Sequence, residues 1–175
     1  MRHLLYYMFR SINNCDWMFY RHLMRKSKYN MFFILSNLEQ QFFQEFCDEV
    51  ISLDSAIRFA GIADEDGKIL AVSERKGLKP LLTPEERAQY AITAATRQYT
   101  RLRWEYLLGK IYYASSHYEK LLRATIPITN DSSRLSYVLL LSFDVDTENF
   151  HQIIMEKIIP LVKKKTAGLL KEAEP

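Results

Sequence analysis

The sequence predicts an α+β domain, a five-stranded antiparallel sheet with helices packed on it, in the order α-β-β-α-β-β-β-α. Three observations lead there. The apolar period alternates between helical and strand spacing along the chain. Two S/T-x-x-E strings stand where helices should begin, and short Asp/Gly or Asn/Asp/Ser turns join the β-rich runs. Short connections of this kind favour antiparallel neighbours.

The elements follow in order. Ser36-Asn37-Leu38-Glu39 reads as a capping box, in which hydroxyl and carboxylate satisfy each other's free backbone donors. A helix is expected from there to about Ser52, with Leu38, Phe42, Phe46 and Val50 on its apolar face. Ile57 to Ala63 and Ile69 to Ser73 read as two strands joined by the turn Asp64-Glu65-Asp66-Gly67-Lys68. The first is apolar almost throughout, as a strand covered on both faces would be. Gly61 within it points to close packing or a bulge.

Thr83-Pro84-Glu85-Glu86 is a second capping box with proline at N1, where a missing N–H costs nothing. Ala88, Ile92, Ala95, Tyr99 and Leu102 then recur at helical spacing to about residue 101. Three more strands are expected at about 110–117, 120–128 and 135–144, the last two joined by the turn Asn130 to Ser133. A final helix should start from Asp146 or Thr147 as cap and bury Phe150, Ile153, Ile154 and Ile158. Pro160 should kink or interrupt it, and the charged tail from Lys163 should fray.

The 175 residues carry 48% hydrophobic and 26% charged side chains, which fits one globular domain with a modest extension. The net charge of +3 is unevenly placed. Residues 1–35 hold six Lys/Arg against Asp16 alone, leaving 18 bases and 20 acids for the rest. The domain is therefore slightly acidic, which argues against nucleic acid as its partner.

Met1, Met8, Met18, Met24 and Met31, five of the six methionines, crowd that basic, aromatic stretch. It lacks the roughly 20 apolar residues of a membrane span and keeps no clean amphipathic stripe. Residues 1–35 are expected to be a disordered extension or an artefact of the gene model, with the domain at 36–165 and a frayed tail at 166–175. Cys15 and Cys47 lack C-x-x-C spacing, which excludes the common zinc and redox motifs and suits a reducing cytoplasm. Cys47 is expected as a small apolar residue on a helix face.

No catalytic constellation emerges. Ser116 and His117 are adjacent in a strand, where neighbouring side chains point to opposite faces. His151, in the first turn of the last helix, is expected to be solvated. A calcium loop starting at Asp64 needs glutamate at its twelfth position, which is Arg75. Neither common phosphate-binding glycine loop is present. No enzyme activity, cofactor or metal is expected.

The best local patch is basic and aromatic. Arg97, Arg101, Arg103 and Lys110 surround the end of the second helix, with Tyr99, Trp104, Tyr106, Tyr112, Tyr113 and Tyr118 nearby. Such enrichment marks the centre of an interface, and also a sheet packed under helices. The basic cluster suits first a solvated helix C-terminus, and second an anionic ligand or an acidic partner surface. Arg97, Tyr99, Arg101, Arg103, Tyr112 and Arg123 are the candidate interface or anion-binding residues. Arg58 and Arg123 are flanked by apolar strand residues; either one, if it points inward, needs a carboxylate such as Glu119 or Asp64, or a bound anion.

The strings Arg58-Phe59-Ala60-Gly61-Ile62-Ala63-Asp64, Pro80-Leu81-Leu82-Thr83 and Leu108-Gly109-Lys110 resemble a family of ammonia-oxidising archaea, the Thaumarchaeota. So do Tyr118-Glu119-Lys120 through Arg123-Ala124-Thr125-Ile126-Pro127 and Lys157-Ile158-Ile159-Pro160-Leu161. The resemblance spans Ile57 to Val162. The order of elements is that of profilin-like folds, in particular Roadblock/LC7 domains, with PAS-type sensors as architectural relatives. The Roadblock resemblance implies a non-enzymatic homodimer acting as a signalling scaffold or small-GTPase regulator. The PAS resemblance implies instead a small ligand between sheet and helices. Fold analogy of this kind carries no functional residue with it.

Overall fold

The computed structural model describes residues 37–171, with side chains to Thr166. Five strands form one sheet in the order β2-β1-β5-β4-β3, every neighbouring pair antiparallel. They are β1 (Ile57–Asp64), β2 (Ile69–Glu74), β3 (Ala114–Tyr118), β4 (Leu121–Thr129) and β5 (Leu135–Phe143). Helix α1 covers 37–52, α2 Pro84–Leu102 and the short α3 Glu105–Leu108. The last helix, α4, is continuous from Phe150 to Lys171. The expected order and α+β architecture are those observed. Residues 1–35, and Ser36 of the first capping box, lie outside the described residues.

Strand alternation divides the core. Ala60, Ile62, Ile126, Ile128, Leu139, Leu141 and Phe143 pack beneath α1 and α4. Ala63, Leu135, Val138 and Leu140 pack beneath α2 on the other face. The interior strand β1 therefore has both faces covered, as its apolar run requires. Phe43, Phe46, Val50, Ile153, Ile154 and Ile158 fill the layer between the sheet and α1 and α4. On α1 the buried stripe is Phe43, Phe46, Cys47 and Val50, whereas Leu38 is exposed and Phe42 half-buried. The expected stripe shared only Phe46 and Val50 with it.

The β1–β2 turn is held by Asp64, whose carboxylate oxygen accepts from the Asp66 and Lys68 backbone N–H groups at 3.1 and 2.8 Å. Gly67 has φ of +85°, and a Cβ there would stand 2.4 Å from Ile92 Cα. Gly61 lies against Phe59 and Val72 rather than a helix, and the register shift with β2 falls one residue later, between Ile62 and Ala63.

Three boundaries differ from expectation. Strand β3 begins at Ala114 because the chain before it is occupied by α3 and its exit. The Ile111 N–H bonds the Glu105 carboxylate, not a strand. Helix α4 starts at Phe150, with Asn149 as N-cap and no side-chain cap. Thr147 instead donates its hydroxyl to the Asp144 carbonyl, closing the preceding turn at 2.7 Å. Pro160 does not interrupt α4: the preceding residues, Ile153–Ile158, form a π-helical turn. The wider turn relieves the clash between a proline ring and the carbonyl four residues back, and the helix runs on to Lys171.

Candidate interaction surface

Helix α2 starts as its capping box dictates. Thr83 Oγ1 accepts the Glu86 N–H at 3.2 Å, and the Thr83 N–H donates to the Glu86 carboxylate at 2.9 Å. Its sheet-facing residues are Ala91, Ala94, Ala95 and Gln98. Gln98 is fully buried, its Nε2 donating to Thr125 O and Oγ1 at 2.8 and 2.7 Å. This corrects the expected stripe. Ile92 and Tyr99 point outward, 46% and 65% exposed, and Ala88 is exposed too. Ala95 is buried as expected and Leu102 packs against that core. Side-chain bulk misplaced Ile92 and Tyr99, because this helix meets the sheet largely through small residues that let the backbones approach. The result is a helix with an inner alanine face and two large apolar side chains, Ile92 and Tyr99, standing among Gln89, Thr96, Arg97 and Thr100 on its outer side.

Among the described residues, strand β3 is an outer strand of the sheet, hydrogen-bonded to β4 alone. The connection from α2 into it carries large exposed side chains: Trp104, Tyr106, Leu107, Leu108 and Tyr112, with Tyr118 at the strand's end. An unpaired strand edge beside exposed aromatic groups is a template for further pairing.

The charges are arranged in two distinct ways. Asp144, just after β5, accepts from Arg58 at 2.7 Å and from Arg75 at 2.6 and 2.9 Å. Arg75 also donates to the Ser55 carbonyl. The Arg75 hydrogen bonds, and then Arg58, hold the Asp144 carboxyl below its ordinary pKa. Arg58 thus finds a carboxylate, but it is Asp144, not Glu119 or Asp64. Arg87 bonds Glu74 at 2.6 Å and lies 4.9 Å above the Phe59 ring.

Arg123 behaves differently. Its guanidinium sits 3.6 Å from the centre of the Tyr90 ring, and no carboxylate pairs with it among the described residues. Arg97 and Arg101, one turn apart on α2, line the same groove as Arg123, with Ser116 and Thr125. The other candidates stand elsewhere. Tyr99 lines a second groove with Glu65, Asp66 and Asn130. Tyr112 has Lys163 of α4 5.7 Å from its ring centre. Arg103 is the C-cap residue of α2. Asp144, Arg75, Tyr90 and Gln98 escaped the sequence reading. Gln98 left one visible signal, as a polar residue in a run of alanines.

Ser116 and the two histidines, His117 and His151, are not brought together. Ser116 pairs in register with Arg123 and His117 with Leu122, which puts the two side chains on opposite sheet faces. His117 packs edge-on to Phe150. The exposed His151 shares a 2.7 Å hydrogen bond between Nδ1 and the Tyr113 hydroxyl. Cys47 is buried as expected, and burial pushes its thiol pKa up to about 12, far from that of a reactive thiolate. Among the described residues no helix is long and apolar enough to cross a membrane.

No protein-family model and no curated protein matches the chain. Solved structures do. The gliding protein MglB from Thermus thermophilus is similar with a TM-score of 0.55 and 18% identity, over 77% of this chain and 90% of that one. A Roadblock/LC7 domain from Streptomyces avermitilis is similar with a TM-score of 0.55 and 12% identity, over 73% and 97%. A structure described as MglB with tetrameric arrangement gives 0.52 and 20%, over 74% and 85%. At these identities the likeness shows the fold, which is that of Roadblock/LC7 domains.

Proposed function

We propose that this chain is a non-enzymatic Roadblock/LC7-like regulatory or scaffold module, working through protein–protein contacts as a homodimer. The observation that carries this reading is the double-faced α2. Its inner alanines bury against the sheet, yet Ile92 and Tyr99 remain on its outer side. Large apolar side chains exposed as a group, rather than singly, mark interaction sites. The edge of β3, unpaired among the described residues, and the exposed connector from Trp104 to Tyr112 extend that surface. Two chains joined through α2, or through paired β3 edges, would cover it. The tetrameric arrangement described for one MglB structure supports self-association as a habit of this fold. A small GTPase is the partner class that the Roadblock resemblance implies.

The PAS-like alternative needs space between the sheet and its helices. Phe43, Phe46 and the isoleucines of α4 occupy that layer on one face, which supports the scaffold reading over the sensor.

The test is self-association of the Tyr99→Asp/Tyr112→Asp double variant and, separately, of Ile92→Asp. Charge on a buried apolar contact weakens association by about 2 kcal/mol or more, which shifts the dissociation constant at least tenfold. Unchanged self-association in all these variants places the interface elsewhere.

A further inference from the structure

We propose that the groove between the second half of α2 and the β3–β4 edge binds a single oxyanion group of the phosphate class. Its ligands are the guanidinium groups of Arg97, Arg101 and Arg123, with the hydroxyls of Ser116 and Thr125.

The argument begins with where the charges go. Elsewhere in the fold, arginines that sit against the sheet have acids: Arg58 and Arg75 share Asp144, and Arg87 has Glu74. The three in this groove have no carboxylate among the described residues, and none lines the groove itself. Two of them, Arg101 and Arg123, are half-buried. Three like charges brought together on partly desolvated surface repel one another, and the repulsion grows as water is excluded. An anion between them reverses its sign.

The placement follows from regular structure rather than from flexible loops. Arg97 and Arg101 are spaced by one helical turn, so they project from one side of α2. Ser116 and Arg123 are directly paired across β3 and β4, and Ala114 pairs with Thr125 in the same ladder. All four strand residues therefore face α2, and the small Ala114 leaves room among them. Tyr90 fixes the Arg123 guanidinium by stacking at 3.6 Å, which orients its planar edge without using its donors. Gln98 anchors Thr125 from the other side: its Nε2 occupies an acceptor position on Thr125 Oγ1 at 2.7 Å. The hydroxyl hydrogen of Thr125 is thereby left as a donor.

The set is rich in donors and holds no charged acceptor, which suits a dianion with several oxygens. Guanidinium forks bind such oxygens in pairs, and charge-assisted bonds of this type are about twice as strong as neutral ones. The floor of the groove has room for a water-sized group and not for a nucleoside, so one oxygen of the anion enters it and the others stay at its mouth beside the exposed Arg97. The ligand is therefore a free phosphate-type ion or a phosphoryl group carried by a larger molecule, and a monoester separates these two sources.

The experiment follows backbone amide shifts of the full chain by NMR at constant ionic strength, titrating inorganic phosphate and, in parallel, phenyl phosphate. The expected result is saturable shifts centred on Ser116, Arg123 and Thr125. Arg97→Gln and Arg101→Gln should each weaken binding about tenfold, as loss of a charge-assisted bond does, while Arg134→Gln should leave it unchanged. Tighter binding of inorganic phosphate identifies a free ion, and tighter binding of phenyl phosphate a phosphoryl group on a larger molecule. Arg123→Gln should weaken both ligands, and Arg123→Lys, which keeps the charge, should restore part of the loss. If Arg123→Gln fails to fold, the exposed Arg97 still decides the question. Shifts that do not saturate, or affinities indifferent to Arg97→Gln and Arg101→Gln, overturn the proposal. Chain mass measured on the same samples reads self-association independently, so either proposal can fail without the other.

Discussion

Single residues carry two of the clearest physical constraints in this fold. Gly67 combines a left-handed backbone with contact against the α2 backbone, so no other side chain fits. Gly67→Ala should cost about 2 kcal/mol or more, combining backbone strain with displacement of the helix. A urea unfolding curve with an unchanged midpoint would show that the turn tolerates a Cβ. Asp144 ties β1, the end of β2 and β5 together through Arg58 and Arg75. Its pKa is held below the ordinary 3.8 in the folded chain by Arg75 first and then Arg58. The sign follows directly: this stabilisation is present above pH 3.8 and is lost as pH falls through the lower folded value. Asp54, held down by Lys157 and the Ala56 N–H, behaves alike. Asp144→Asn should lower stability at pH 7 by about 2 kcal/mol and flatten the acid limb of the stability–pH curve. Equal acid limbs in the two proteins would remove Asp144 from this role. The sequence offered Arg58, if it points inward, Glu119, Asp64 or a bound anion as partner, and the structure gives Asp144 instead. Asp144 is 86 residues away, and only the pairing of β1 with β5 brings it close.

At the scale of elements, chemistry that is local in sequence was legible and chemistry that depends on neighbours was not. The capping box at Thr83, the Asp64 turn and the turn at Asn130 follow from side chains bonding backbone groups within four residues. The order of elements could be read because those signals punctuate the chain. The inward face of α2 was read only at Ala95 and Leu102, since alanines in close contact with a sheet carry little hydrophobic signal while Ile92 and Tyr99 carry much. Ala91→Leu should therefore destabilise the protein by about 2 kcal/mol through overpacking, whereas Ala88→Leu should change stability little. Thermal unfolding of the two variants gives the answer, and the reverse order would restore the stripe inferred from bulk. Strand β3 was expected four residues early because its aromatic run has high β propensity. That run serves instead as the exposed approach to the strand. The groove of Arg97, Arg101 and Arg123 was half visible: the basic cluster stood out in sequence, while its hydroxyls appear only once strand register is known.

Across the whole molecule, the distribution of apolar surface separates what folds the chain from what it has left to offer. The face beneath α1 and α4 is closed by large side chains. The face beneath α2 is closed by small ones, with large side chains displaced outward onto α2 and the connector to β3. On the proposed reading that surface serves self-association, and the basic groove beside β3 lies at its margin.

The most direct measurement is the mass of the full chain in solution by sedimentation equilibrium, across concentrations up to about 100 μM, where a dissociation constant in the micromolar range is readily resolved. The account predicts twice the mass of one chain, falling toward a single chain in Ile92→Asp and in Tyr99→Asp/Tyr112→Asp. A single-chain mass at every concentration would contradict it and leave the outer face of α2 to a different protein.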